Sequence, residues 1–289
     1  MNKIQFSSLS STNHPTVLPT DRIYDPRIGA FVLEEYKLIF VSIPKVACSE
    51  WKRMFMRMLG NPLWCKIRGI NAHDPDVHNI PYLSQYPVDV ASQMMISPEW
   101  TKAVFVREPK ERILSAFLDK SVKEKWFFKN KCCEQLDDPE VVTDCVNKSQ
   151  SFASFLHYVT KFPDKCTNVH WEAQALKIDS KWWPYFNFIG YQHNLQQDAK
   201  RLLSHVHSKV DGRSAWEKLG SSGWGNDNEG CENRTRSFLE ENTSTHRLET
   251  GKKLAEWYDS ETEALVEENW KSDWEQKEIT FPQVKIYTN

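Results

Sequence analysis

Lys45 lies where an apolar run, Leu38 to Ile43, stops at Pro44 and gives way to an amphipathic pattern carrying Lys52, Arg53 and Arg57. A loop that leaves a strand and enters a helix presents unpaired backbone N–H groups and the positive end of the helix dipole, which together hold phosphate or sulfate. Lys45 adds a mobile point charge, and the small side chains of Ala47, Cys48 and Ser49 let the backbone approach an anion closely. A second set follows. Arg107 ends the short apolar run Ala103 to Val106, at the carboxyl end of a strand where open α/β sheets gather their ligands. Ser115 stands two turns into the helical pattern after it. An Arg fork with a hydroxyl suits a second phosphate, so the two sets imply one ligand with two phosphates set apart.

The loop contains no glycine, whereas an ATP- or GTP-cleaving P-loop needs GxxxxGK[ST]. The second strand ends in Arg107 and Glu108, without the Asp that such enzymes place on magnesium. A metal-dependent NTPase is therefore disfavoured. Taken alone, the first loop could be an ordinary strand–helix junction with a solvated lysine; the second set argues for a built site.

For these residues to meet, two strand–loop–helix units must lie side by side. The connection "GINAHDPDVHNIP" and a mixed stretch from Tyr82 to Ser97 separate them. In the second unit Pro109 suits the first turn of a helix, where its missing N–H costs nothing, and Ile113, Leu114, Phe117 and Leu118 recur at helical spacing. Phe152, Phe155, Leu156 and Val159 mark another helix face, "YFNFIG" a strand from Tyr185, and Leu195, Ala199, Leu202 and Val206 the inward face of the next helix. This alternation predicts an α/β fold with a central, mostly parallel sheet flanked by helices. Towards the end, Ser260 and Glu263 are spaced as a capping box before an inward stripe of Leu265, Val266, Asn269 and Trp270. Residues 1–34 read as an irregular arm, 35–276 as one domain and 277–289 as a tail; five of the ten glycines fall between Gly212 and Gly230, so 208–234 reads as a mobile loop.

Composition sets the outer bounds. With 37 basic and 39 acidic residues the net charge is −2, which excludes a general nucleic-acid coat. Charge is local instead: four basic residues face one acidic residue between Ile43 and Arg57, and nine acidic residues face two lysines between Glu256 and Glu278, the latter a solvated helix face. No apolar window of about 18 residues predicts a membrane span. The N-terminus is polar and lacks the apolar core of a secretory signal, which reads as cytoplasmic if Met1 is the native start. Seven cysteines include the bunched Cys132, Cys133, Cys145 and Cys166, either disulfides of an oxidising lumen or small buried thiols; there is no CxxC for structural zinc. Sequons at Asn147, Asn233 and Asn242 do not settle the compartment.

At the two anion sets the chain resembles sulfotransferases that use 3′-phosphoadenosine-5′-phosphosulfate (PAPS). It is most similar to carbohydrate sulfotransferases of the chondroitin/dermatan 4-O type, in sulfotransferase family 2. "IPKVACSEWKR" resembles their 5′-phosphosulfate loop and "FVREPKERILSAFLDK" their 3′-phosphate segment. "NVHWEAQ", "FNFIG" and the ending from "STHRLETGKK" follow in the same order, so the likeness runs roughly from Lys37 to Glu275. The resemblance implies a P-loop-like three-layer fold and transfer of a sulfuryl group from PAPS to a hydroxyl without a metal. The acceptor it implies is a glycan, with a sterol, phenol or other small alcohol left open. It also implies residence in the Golgi lumen.

Carried over by residue, it assigns Lys45 to the sulfuryl group and bridging oxygen. Pro44, Val46, Ala47, Cys48, Ser49, Glu50, Trp51 and Arg53 go to the loop around the 5′ end, Arg107 and Ser115 to the 3′-phosphate, and Thr245 to Arg247 to a segment closing over the nucleotide. Two departures stand out: "LKIDSK" replaces the cysteines that relatives carry after the His-Trp block, and the N-terminal anchor common among them is not found in this sequence.

Sulfuryl transfer is mostly alignment and charge placement, and the acceptor hydroxyl needs a base. His78, between the two anion blocks where several related sulfotransferases supply their base, is the first candidate, and His170 in "NVHW" the second; each has a packed, structural histidine as its alternative. Trp171 and Gln174 are candidates for shaping the acceptor pocket, with core packing as the alternative for Trp171. His73, Asp74, Asp76 and His78 are explained by a polar loop more simply than by a metal. The competing classes are a nucleotide kinase-like phosphotransferase and a nucleotide- or glycan-binding module without catalysis.

Overall fold

The computed structural model describes residues 14–64, 72–219 and 250–281. In chain order the elements are β1 (Phe31–Leu33), β2 (Leu38–Val41), α1 (Cys48–Met58), α2 (Pro75–His78), α3 (Val88–Ile96), β3 (Thr101–Val106), α4 (Pro109–Phe117), α5 (Lys125–Lys131) and α6 (Pro139–Lys148). They continue with α7 (Phe152–Lys161), β4 (Phe188–Tyr191), α8 (Leu195–His205), α9 (Ala215–Leu219), α10 (Thr250–Trp257), α11 (Ser260–Asn269) and α12 (Lys271–Glu275). They fall into two compact units with interleaved chain segments. One is drawn from Met1–Ser42, Cys48–Phe105 and Lys177–Thr243, the other from Ile43–Ala47, Val106–Leu176 and Ser244–Asn289.

The first unit holds the sheet, in the order β1-β2-β3-β4. β2 and β3 run parallel, with Leu38 opposite Thr101 and Val41 opposite Val104, and every residue of both is buried. Burial on both faces is why these strands read as continuous apolar runs. β1 pairs antiparallel with β2, Phe31 opposite Phe40. The irregular arm expected over 1–34 thus ends in a strand; three residues are too few to show a period, and the pairing is decided by the neighbour. α1 turns its apolar face inward, where Trp51 lies 4.6 Å from the Phe105 ring and 5.0 Å from Phe40, and Phe55 lies 4.8 Å from Phe40. The strand expected from Tyr185 begins at Phe188, because Trp183–Tyr185 winds one 3₁₀ turn around Pro184. Asn187 then accepts the Lys102 N–H at 2.8 Å. At Gly190 a Cβ would sit 2.4 Å from the Phe105 ring, so β4 reaches its place only with glycine there. Within the expected mobile loop, 208–219 contains α9; the rest lies outside the described residues.

The second unit is helical. Ile113, Leu114 and Phe117 of α4, Phe152, Phe155 and Leu156 of α7, and Trp171, Leu254, Val266 and Trp270 form its core. Of the stripe expected on α11, Val266 and Trp270 are buried, Leu265 is half-buried and Asn269 is exposed. The capping box there is Asp259 with Thr262, one residue earlier than expected: Asp259 Oδ1 accepts the Thr262 N–H at 2.8 Å and Thr262 Oγ1 accepts the Asp259 N–H at 2.9 Å. Glu263 is drawn away to Lys110, 2.5 Å from its ammonium. The four bunched cysteines form two disulfides, Cys132–Cys166 and Cys133–Cys145. Closing loops of 34 and 12 residues restricts the unfolded chain by about 4 and about 3 kcal/mol.

Candidate active site

The segment Ile43–Ala47 belongs to the second unit. It closes on itself through the Val46 N–H, which donates to the Ile43 carbonyl at 3.3 Å. Lys45 and Ala47 both have left-handed backbones, with φ of +69° and +53°. For residues with a Cβ this conformation costs about 1–2 kcal/mol each, a strain that persists where surrounding structure enforces it and that clusters at ligand-binding turns.

Three side chains of the same unit enforce it. Arg107 Nη1 donates to the Lys45 carbonyl at 3.2 Å, while its Nε and Nη2 lie 3.3 and 3.2 Å from Glu111 Oε2. Burial lowers the Arg107 pKa, Glu111 opposes the shift, and the guanidinium stays charged. Arg112 on α4, fully buried, donates from Nε to the Pro44 carbonyl at 3.2 Å, from Nη1 to the Glu172 carbonyl at 2.7 Å and from Nη2 to the Val169 carbonyl at 3.3 Å. Asp119 accepts from the Lys45 ammonium at 2.9 Å, and Lys120 lies 3.3 Å from the same oxygen. Burial would raise the Asp119 carboxyl, but the two ammonium groups outweigh it and bring it down to about 2. Asp119 can face Lys45 because α4 runs into a π-helical turn, Leu118–Lys123, a local widening common at functional sites.

Arg107 is held from behind. Gln174, fully buried, accepts the Arg107 N–H at 3.0 Å and donates to the Arg107 carbonyl at 2.6 Å, taking the place of a neighbouring strand. Glu108 caps α4 by accepting the Glu111 N–H at 2.8 Å, and burial raises its carboxyl to about 7. Ser115 lies on α4 at 3% exposure. Trp171 takes its place in the core of the unit. It is buried against Phe128 and Phe155, and its indole N–H donates to the Cys166 carbonyl at 2.6 Å.

His170 precedes it on a turn whose Asn168 carbonyl accepts the Trp171 and Glu172 N–H groups. Its Nδ1 lies 2.6 Å from Asn168 Oδ1, and its ring meets the Phe127 edge at 5.2 Å. The Lys120 ammonium lies over the same Phe127 ring, 4.8 Å from its centroid. Lys45, Arg107 and the His170 turn are therefore gathered in one unit, joined through Arg112 and Asp119. Sequence reasoning missed both of these joining residues.

The remaining candidates among the described residues lie in the first unit. Cys48, Ser49, Glu50, Trp51 and Arg53 open α1. Ser49 Oγ is 2.9 Å from His73 Nε2, Lys52 donates to His73 Nδ1 at 3.1 Å, and Arg53 pairs with Glu50 at 2.5 Å. Trp51, at 1% exposure, offers a ligand only its main chain. His78 has no exposed surface. Its Nδ1 accepts the Ile80 N–H at 3.0 Å, its Nε2 lies 3.5 Å from the Tyr82 hydroxyl, and its ring packs on Phe31. Burial, with Lys52 beside it, lowers its pKa to about 4, so at neutral pH it is an uncharged, enclosed imidazole with one nitrogen already engaged. Asp74 caps α2 by accepting the Asp76 N–H. Arg247 and the segment from Thr245 lie outside the described residues.

A model of the sulfotransferase family matches residues 29–275. Among curated proteins, the chain is 28% identical to carbohydrate sulfotransferase 11 of Danio rerio, over 69% of this chain and 57% of that one. It is 26% identical to carbohydrate sulfotransferase 14 of Homo sapiens, over 66% and 50%, and 26% identical to carbohydrate sulfotransferase 9 of Homo sapiens, over 61% and 40%. The chain thus spans about half the length of the curated relatives it matches. No solved structure matches.

Proposed function

Because the chain belongs to the sulfotransferase family, we propose that it transfers a sulfuryl group from PAPS to a hydroxyl of a carbohydrate. The observation that carries this reading is the Arg107–Lys45 link: the strand-end guanidinium holds the carbonyl of the loop lysine at 3.2 Å, so the residues expected at opposite ends of a doubly phosphorylated donor are built as one piece. The donor set fits such a ligand. Two cations and a strained loop with left-handed residues favour oxyanions, and all of them work without a metal.

In this reading the Lys45 ammonium leaves Asp119 for the bridging oxygen and stabilises the charge that grows on the departing phosphate. Arg107 and Ser115 bind the 3′-phosphate, and Ser49, Arg53 and the main chain from Val46 to Glu50 keep the roles that the family resemblance gives them. His170 takes the acceptor proton; His78 is the alternative base, and its enclosure in Phe31, Ile80 and Tyr82 weighs against it. The relatives' names support a glycan acceptor, and chondroitin and dermatan head the trial set. The two disulfides suit an oxidising compartment such as the Golgi lumen; among the described residues no helix is long and apolar enough to cross a membrane.

The test pairs binding with turnover. Thermal shift is measured with 3′-phosphoadenosine-5′-phosphate, with ATP and with ATP plus magnesium, and sulfuryl transfer from PAPS is followed on chondroitin, dermatan, neutral glycans, sterols and phenols. Stabilisation by the bisphosphate without magnesium, and transfer to a glycan, are expected; Lys45→Ala abolishes transfer and keeps the fold. Magnesium-dependent preference for ATP would point to a kinase, and bisphosphate binding without turnover on any hydroxyl to a binding module.

A further inference from the structure

We propose that Asn168 is the positioning residue that makes His170 Nε2 the proton acceptor of the transfer reaction, an inference that rests on the function proposed above. Asn168 Oδ1 receives two donors from one residue, the His170 backbone N–H at 3.1 Å and the ring Nδ1 at 2.6 Å. The first bond fixes the second. Of the two ends of the Asn168 side-chain amide only the oxygen can accept a backbone N–H, so this bond sets which way the amide points; the oxygen then faces Nδ1, and a carbonyl oxygen only accepts. Nδ1 must carry the proton, and the basic lone pair of the neutral ring belongs to Nε2.

The turn that bears the ring is fixed as firmly as the tautomer. The Asn168 carbonyl accepts the N–H groups of Trp171 and Glu172 at 3.2 and 2.9 Å. Arg112 holds the Val169 and Glu172 carbonyls and, with the same guanidinium, the Pro44 carbonyl next to Lys45. Trp171 is anchored to Cys166, which the disulfide ties to Cys132. A base oriented by a third group, on a turn clamped to the loop of the charge-stabilising lysine, is the arrangement nucleophile activation requires. The step balances: the acceptor O–H gives its proton to Nε2 as the acceptor oxygen bonds sulfur. The bond from sulfur to the bridging oxygen breaks, and its electron pair leaves with the phosphate oxygen beside Lys45. Among the described residues, charged groups at or next to this turn include Arg112 behind the Val169 carbonyl, Glu172 within the turn, and Lys120, which lies over Phe127 and pairs with Asp119.

The experiment uses the intact, disulfide-bonded protein with the variants Asn168→Asp, Asn168→Ala and His170→Gln. Three readings are taken: ¹⁵N NMR of the imidazoles, calorimetric binding of 3′-phosphoadenosine-5′-phosphate, and the pH profile of kcat on the best acceptor. The wild type should show His170 as the Nδ1–H tautomer. Asn168→Ala should lower kcat by roughly 10- to 100-fold, with bisphosphate affinity and KM unchanged within a factor of two. Asn168→Asp, which still accepts from Nδ1–H and adds a negative charge, should restore kcat at high pH and move the acid limb up by about one pH unit. In His170→Gln that limb should vanish. An Nε2–H tautomer in the wild type, an unmoved limb in Asn168→Asp, or full turnover in His170→Gln would overturn the proposal. A wild type that neither binds the bisphosphate nor transfers sulfuryl defeats the broader function instead, and the tautomer still decides the role of Asn168.

Discussion

Replacing Asp119 with Asn keeps the shape of the side chain and an oxygen for Lys45, and removes only the charge. The carboxyl is held at about 2 against an ordinary 3.8, which corresponds to roughly 2 kcal/mol of net stabilisation of its ionised form. Both ends are largely enclosed, with the Lys45 and Asp119 side chains 13% and 14% exposed, so screening removes little of it. Because the folded pKa is depressed, this stabilisation is present above the unfolded value and is lost as pH falls towards 2. Asp119→Asn should therefore unfold at lower urea than wild type at pH 7, with a gap of roughly 2 kcal/mol that closes between about pH 4 and pH 2. In the proposed function the same pair competes with the donor. If about half of that energy belongs to Lys45 and the rest to Lys120, freeing the ammonium should tighten binding of 3′-phosphoadenosine-5′-phosphate about fivefold, from about 1 kcal/mol. Calorimetry with matched urea melts measures both. An unchanged urea midpoint at pH 7, or weaker bisphosphate binding in the variant, would refute the argument.

Arg112→Lys keeps the charge but cannot reach three carbonyls with fixed geometry, and should cost about 2 kcal/mol in stability and at least tenfold in transfer, read by urea melts and kcat. Removing the Cys132–Cys166 disulfide with paired serines should cost up to about 4 kcal/mol, and should increase hydrogen exchange at the His170 amide more than at amides of α11, because the crosslink ends in the segment that anchors Trp171.

The two strand–loop–helix segments were legible because each joins a buried apolar run to a proline-marked break: Pro44, in the loop four residues before α1, and Pro109 at the first position of α4. Helix faces were equally plain where large apolar residues repeat, as on α7. What stayed hidden depends on partners distant in sequence. Cysteine spacing does not encode pairing, so Cys132 and Cys133 could not be told apart. Arg112 reads as one more polar residue on an amphipathic helix, and only the return of the chain at Val169 and Glu172 shows that its face is inward. Asp119 faces Lys45 through a π-helical turn, and no local signal in the sequence marks that change of pitch. His78 drew attention as a base because it lies in the polar connection between the two anion blocks; Phe31, which packs on its ring, comes from the segment read as an irregular arm.

Pro44 and the Val169–Glu172 turn, more than a hundred positions apart along the chain, lean on a single buried guanidinium. Neither can drift without the other registering it. An insertion near the turn would be felt at the lysine loop, and a change of loop length would reach the histidine. Redesign of acceptor preference should accordingly leave this shared anchor alone and work on residues that Arg112 does not touch.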